Sequence, residues 1–215
     1  MTPSDSPLLA VGLNPAWQKT LEFPAVHLGR INRALSVRDG VAGKGANVAK
    51  AAAALGCRCT VAQFRGGYTG EKVTKGLDAL DIPRIDVDTG ARTRVCTTLL
   101  TENDGAMTEL IEPSGTVTAS EVQALRDRLL PRLNAFRAVA VCGTYPPGVP
   151  ASFYAEIVER SRSRALVLLD GYKGVGPALH ARPHILKINR DELQALTGSD
   201  ALEPALTALR NAYPE

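Results

Sequence analysis

Short apolar runs alternate along this chain with stretches in which apolar residues recur every three or four positions. The short, mostly apolar runs at 8–13, 59–64, 138–142, 166–170 and 184–188 are the strand candidates. Helices are predicted between them. The first, 44–55, consists mainly of small residues and is followed by Gly56, as expected of a helix lying close to a sheet and ended by a left-handed glycine. A second spans 70–80. Thr118-Ala119-Ser120-Glu121 is a capping box ahead of Val122, Leu125, Leu129, Leu130 and Leu133, which share one helical face. Further helices fit 151–160 and 190–196. Strand and helix in alternation predict an α/β fold: a doubly wound, mostly parallel sheet with helices on both faces and ligands at the C-terminal strand ends.

Two segments, 20–39 and 92–112, break this alternation and read as strand pairs joined by short turns, including Asn103-Asp104-Gly105. They predict a small β flap, a lid able to exclude water and close over a ligand. The 215 residues are somewhat more than one average domain, so the expected organisation is a single domain, 1–215, with the two lid segments inserted.

Charge narrows the partners. A formal net charge of +3 is spread without blocks of like sign, which argues against a nucleic-acid surface or a polybasic membrane anchor and leaves small anions. The four cysteines, at 57, 59, 96 and 142, lack the paired spacing of a zinc or redox motif and read as reduced core residues. The start, Met1 to Pro7, has no basic leader, and the run at 8–13 is too short for a signal core or a spanning helix. The expected location is cytoplasmic.

Candidate chemistry lies in Asn14-Pro15-Ala16, closing the first apolar run, and in Gly43-Lys44-Gly45-Ala46-Asn47, opening the first helix. The second is no P-loop, because Gly45 stands where Ser or Thr would hold magnesium and no glycine lies five residues before Gly43. Nor is it a dinucleotide fingerprint, since the third glycine is missing. Glycines let backbone approach a ligand, and a helix N-terminus favours negative charge. An ordinary loop with a solvated lysine would look the same.

The set taken together resembles the PfkB (ribokinase-like) carbohydrate kinases, most closely their 1-phosphofructokinase and tagatose-6-phosphate kinase branch. The likeness runs from Leu9 to about Leu196. It rests on Leu13-Asn14-Pro15-Ala16, Gly43 to Ala49, Arg92-Thr93-Arg94, Gly143-Thr144-Tyr145-Pro146-Pro147-Gly148-Val149, Asp170, and Lys187-Ile188-Asn189-Arg190-Asp191-Glu192-Leu193, in the family's order. What the resemblance implies is transfer of the ATP γ-phosphoryl group to a sugar hydroxyl with Mg2+ bridging the phosphates. It implies Asn14, Gln18, Gly43, Lys44, Gly45, Asn47 and Thr144 around the sugar, and Arg94 on the phosphate of a sugar-phosphate substrate, with Arg30 a weaker candidate. Lys187, Asn189 and Glu192 are implied on the nucleotide side, Glu192 acting indirectly on the metal. Asn189-x-x-Glu192 is equally a helix N-cap signature, and the two roles are compatible. Asp170 sits where α/β sites gather, though Asp-Gly is also a common turn.

Three departures qualify the likeness. Gln18 stands where the family has an aspartate for the sugar hydroxyls, and Tyr172-Lys173 replaces small hydroxyl residues after Asp170. The family's Gly-Ala-Gly-Asp turn, which supplies an anion hole and the base, has no counterpart within these residues: none of Asp191, Glu192, Asp200, Glu203 or Glu215 follows a glycine-rich turn. The expectation is a domain incomplete at its C-terminal side, inactive as it stands, that oligomerises or sits with a partner supplying the rest. The alternative is a sugar-phosphate-binding protein without turnover, or a fragment of a split or silent kinase. An in-frame Gly-x-Gly-Asp in the coding DNA beyond Glu215 would separate them.

Overall fold

In the computed structural model, which describes residues 7–214, the apolar runs assemble around the first of them. Residues 1–6 and Glu215, read above for the motifs they lack, lie outside the described residues. β1 (Leu8–Val11) pairs in parallel with β4 (Cys59–Arg65) on one side and β8 (Ala138–Cys142) on the other. β4 continues to β5 (Arg84–Asp88), and β8 to β9 (Leu166–Asp170) and β10 (Ile185–Lys187). The order β10-β9-β8-β1-β4-β5 is parallel at every pair. Strands are added outward on the β4 side first and then on the β8 side, so the winding reverses beside β1. A crevice opens there at the C-terminal strand ends.

The alternation of side chains along β1 assigns the two faces. Leu9 and Val11 enter the larger core with Val139, Val141 and Phe153, while Ala10 packs with Ala46, Ala49, Val73 and Leu77 on the other side. The second face is covered by α1 (Lys44–Ala54) and α2 (Gly67–Asp78); the first is covered by α3 (Ala119–Leu129) and α4 (Ser152–Ser161). The capping box predicted at Thr118 and Glu121 forms, with both reciprocal bonds present. Gly56 adopts φ 73°, the left-handed stop expected after α1.

Three elements differ from the sequence reading. β5, α5 (Gly176–His180) and α7 (Leu202–Ala212) were not anticipated. β5 alternates buried Ile85 and Val87 with charged Arg84, Asp86 and Asp88, and a strand with two apolar residues carries little signal. Its charges are paired: Arg84 with Asp86 and Asp78, Arg65 with Asp86 and Asp88. α6 (Arg190–Thr197) forms as expected and ends at Gly198.

The flap is a second sheet, larger than its sequence signal. β2 (Ala16–Phe23), β3 (Ser36–Ala42), β6 (Arg94–Thr101) and β7 (Met107–Ile111) lie in the order β3-β2-β6-β7. Both hairpins are antiparallel and joined to each other by parallel pairing of β2 with β6. Strand β2 begins at Ala16, four residues before the expected boundary, because Trp17 is buried against the second core and its Nε1 donates to Asp39 at 3.1 Å. Its link to β3, residues 24–35, is a long loop and not the short turn expected.

The first helix reaches the site because two glycines allow it. A Cβ on Gly12 would lie 2.6 Å from Gly45 Cα, and one on Gly45 would lie 2.7 Å from Gly12 Cα. Backbone therefore touches backbone where β1 ends and α1 begins. Gly45→Ala is expected to cost about 1–3 kcal/mol or more through overpacking, lowering the melting temperature by roughly 2–4 °C per kcal/mol. Gly40→Ala, facing open space, is the control for a thermal melt. Equal melting of the two variants would contradict the close contact.

Candidate functional site

At the C-terminal ends of β1, β8 and β9, under the base of the flap, lies a cavity of about 230 Å³. Gly12 and Asn14 wall it from the end of β1, Lys44 from the first turn of α1, Thr144 from beyond β8, Glu192 from α6 and Arg94 from the flap. Arg94 and Lys44 thus share one cavity, although 50 residues separate them in the chain.

Asn14 is fixed from two directions. Its Nδ2 donates to Thr144 Oγ1 at 3.1 Å, and its Oδ1 accepts from Ser114 Oγ at 2.9 Å. One carboxamide therefore ties the end of β1 to the segment after β8 and to the segment leaving the flap, and presents polar groups to the cavity in a set orientation. Ser114 escaped the sequence reading. Pro113-Ser114-Gly115 looks like an ordinary turn, and nothing along the chain marks a partner 100 residues away.

Arg94 opens β6 and is half-buried. One guanidinium nitrogen makes a long contact of 3.5 Å to the Asn14 carbonyl, while Nε is buried with no hydrogen-bond partner. Among the described residues Arg94 is in no ion pair. A buried donor left unmatched costs on the order of 1–3 kcal/mol.

Lys44 departs from expectation. Its ammonium is not left free for a ligand: Nζ lies 2.7 Å from Asp170 Oδ1 and 3.2 Å from Glu192 Oε1. Lys187 reaches the other oxygen of Asp170 at 3.6 Å. Burial alone would lower the lysine's affinity for its proton, but Asp170 and Glu192 outweigh burial and leave its pKa raised. Burial pushes Glu192 up, but the Asn189 amide and the two lysines outweigh it, and its pKa is lowered. Lys44 and Glu192 thus stay charged at neutral pH. The long stem of Lys44 passes over Gly143, where a Cβ would lie 3.3 Å away, and carries the charge across the strand ends to the carboxylates.

Glu192 forms the helix cap read from Asn189-x-x-Glu192 and turns its second oxygen to Lys44. Asn189 Oδ1 accepts from the Glu192 amide at 2.8 Å and Glu192 Oε2 accepts from the Asn189 amide at 3.0 Å, completing a capping box, while Oε1 faces Lys44. Asn189 itself is spent on the cap.

The remaining expected residues fall outside the lining. Gln18 lies on the flap and donates to Thr98 Oγ1 at 2.7 Å and to the Lys19 carbonyl. Asn47 is exposed one turn into α1, and Arg30 is exposed in the 24–35 loop. Gly43, at φ 103°, and buried Gly45 shape the backbone behind Lys44. Cys142 borders the cavity, but burial and then the Asp170 charge push its thiol up to about 12, which makes it an inert wall.

Magnesium was expected near Glu192. Among the described residues no three His, Cys, Asp or Glu side chains converge as a metal site, and the nearest carboxylates, Asp170 and Glu192, already face Lys44. These residues alone do not fit the ion. No helix among them is long and apolar enough to cross a membrane.

Residues 10–214 match the pfkB family carbohydrate kinases. Among solved structures, phosphofructokinase-2 of Escherichia coli in complex with fructose-6-phosphate superposes with a TM-score of 0.81 at 21% identity, over 97% of this chain and 71% of that one. Its tetrameric inhibited form gives 0.80 at 22%, over 96% and 68%. A "possible 1-phosphofructokinase" of Thermotoga maritima gives 0.78 at 22%, over 90% and 68%. At such identities the likeness is one of fold, which is ribokinase-like: a parallel central sheet between helices, carrying a β lid.

Proposed function

Because this chain belongs to the pfkB family of carbohydrate kinases, we propose that the cavity between lid and sheet receives a phosphorylated hexose, with Arg94 on its phosphate. The observation that carries this reading is the Arg94 guanidinium: half-buried, lining the cavity, and outside any ion pair among the described residues. A guanidinium offers a phosphate two parallel donors, and the bond is charge-assisted. Asn14 and Thr144, held together by their own hydrogen bond, meet the sugar hydroxyls. Lys44 serves the opposite rim, where it holds Asp170 and Glu192 in place beside Lys187.

The reaction of the family moves a phosphoryl group from ATP to a sugar hydroxyl: the hydroxyl oxygen bonds to the γ-phosphorus, the bond to the bridging oxygen breaks, and the hydroxyl proton goes to a base. The nucleotide is assigned to the rim formed by Lys187, Asn189 and Glu192, of which Glu192 lines the cavity. Among the described residues no free base faces the cavity, since the oxygens of Asp170 face two ammonium groups. The residues at hand bind and orient the acceptor sugar; they do not complete the transfer. The alternative reading, a protein that binds a sugar phosphate without turnover, draws on the same pairing of Asp170 and Glu192 with lysines.

A thermal-shift panel tests the binding. At hundredfold excess over Kd, fructose 6-phosphate is expected to stabilise the chain by about 2.7 kcal/mol, a rise of roughly 5–10 °C in melting temperature. Fructose at the same concentration is expected to do much less. Equal shifts, or none with either compound, would remove the phosphate from the assignment.

A further inference from the structure

The flap strand that carries Arg94 leaves the body through a joint of reciprocal hydrogen bonds. The Thr93 amide donates to the Gly66 carbonyl at 2.9 Å, and the Gly66 amide donates back to Thr93 Oγ1 at 3.0 Å. The hydroxyl of Thr69, in the first turn of α2, donates to the Thr93 carbonyl. Every polar group of Thr93 is therefore engaged by the β4–α2 turn. Both threonines are buried, at 7% and 8% exposure. The segment just before is secured as well: the Thr89 amide donates to the Arg65 carbonyl at 2.8 Å and its hydroxyl to the Ala91 carbonyl at 2.9 Å. Contact is so close that a Cβ on Gly66 would lie 2.1 Å from the Ala91 oxygen.

The consequence falls on the next residue. With the amide, carbonyl and hydroxyl of Thr93 all held, the backbone leading into Arg94 has little freedom, whereas the far strand of the flap, β7, is exposed along its whole length. We infer that Thr93 and Thr69 are positioning residues that hold Arg94 preorganised at the cavity, so that the phosphate-binding cation is fixed by the body of the protein and is not delivered by movement of the lid. This rests on the phosphate assignment made above. A cation held in place loses less freedom when its ligand arrives, and that difference appears as affinity for the phosphate alone.

The test compares affinities for fructose 6-phosphate and for fructose by titration calorimetry on the 215-residue chain. The variants are Thr93→Val and Thr69→Val, which delete a hydroxyl at constant shape, Thr93→Ser and Thr69→Ser, which keep it, and Arg94→Ala as reference. The valine variants are expected to weaken fructose 6-phosphate binding by about tenfold, the worth of one lost hydrogen bond, with fructose affinity changed by less than about twofold on the same grounds. The serine variants are expected to bind as the parent does. If Thr93→Val does not fold, Thr69→Val, which breaks one bond and leaves the Gly66 latch, carries the test. Valine variants that bind fructose 6-phosphate normally while Arg94→Ala does not would overturn the joint and leave the phosphate site standing. Valine variants that lose both ligands equally would make the joint merely structural, which also overturns the inference. An Arg94→Ala variant that binds like the parent would instead remove the phosphate assignment, and the inference with it.

Discussion

Mixed with magnesium-ATP and fructose 6-phosphate, the 215-residue chain is expected to form ADP at least about ten-thousandfold more slowly than the roughly 10 s⁻¹ typical of enzymes. The physical ground is that phosphoryl transfer leaves the protein two tasks, taking the hydroxyl proton and stabilising the charge spreading over the transferred oxygens. A positioned base contributes about 10²–10⁴-fold, and preorganised donors about 10²–10³-fold each. Among the described residues no carboxylate free to act as that base lines this cavity. The carboxylates at its rim hold lysines, Asp170 on Lys44 and Lys187, Glu192 on Lys44. A coupled ADP-release assay decides the matter. Turnover within tenfold of the typical rate would mean that a base is present after all, and Asp170→Asn would be the first variant to make.

The parts of this protein legible from sequence are those whose signal is local. β8 and β9 fall on the predicted residues because short apolar runs such as Leu166 to Asp170, too short for a helix, fit a strand of a parallel sheet. Two capping boxes, at Thr118 and Asn189, could be read because the four residues that form each are contiguous. β5 was not legible, since its alternation of Ile85 and Val87 with paired charges resembles a solvated segment until Arg65 and Arg84 are seen beside it. The site divides the same way. That Asn14, Lys44, Arg94 and Thr144 meet was readable from motif order. That Lys44 spends its charge on carboxylates 126 and 148 residues away was not, because an ion pair between distant elements leaves no trace in the spacing of either.

This division changes which cation matters. A lysine between two carboxylates contributes little net positive field, and opposed charges at 2.7 and 3.2 Å largely cancel for a ligand beyond them. Arg94, with no such partner among the described residues, remains the group on which a phosphate would gain most. Arg94→Ala is therefore expected to weaken fructose 6-phosphate binding by roughly 10- to 100-fold, the range for a charge-assisted hydrogen bond of about 1.5–3 kcal/mol. Lys44→Met is expected to act mainly on stability, because it leaves Asp170 and Glu192 facing each other across a low-dielectric rim. Its effect on the preference for phosphorylated over unphosphorylated sugar should be smaller than that of Arg94→Ala.

The ratio of affinities for fructose 6-phosphate and fructose, measured by titration calorimetry in the parent chain and in Arg94→Ala, bears most directly on the site. A large ratio in the parent that collapses in the variant, with fructose affinity nearly unchanged, is the predicted result. A ratio that survives the loss of the guanidinium would contradict the account.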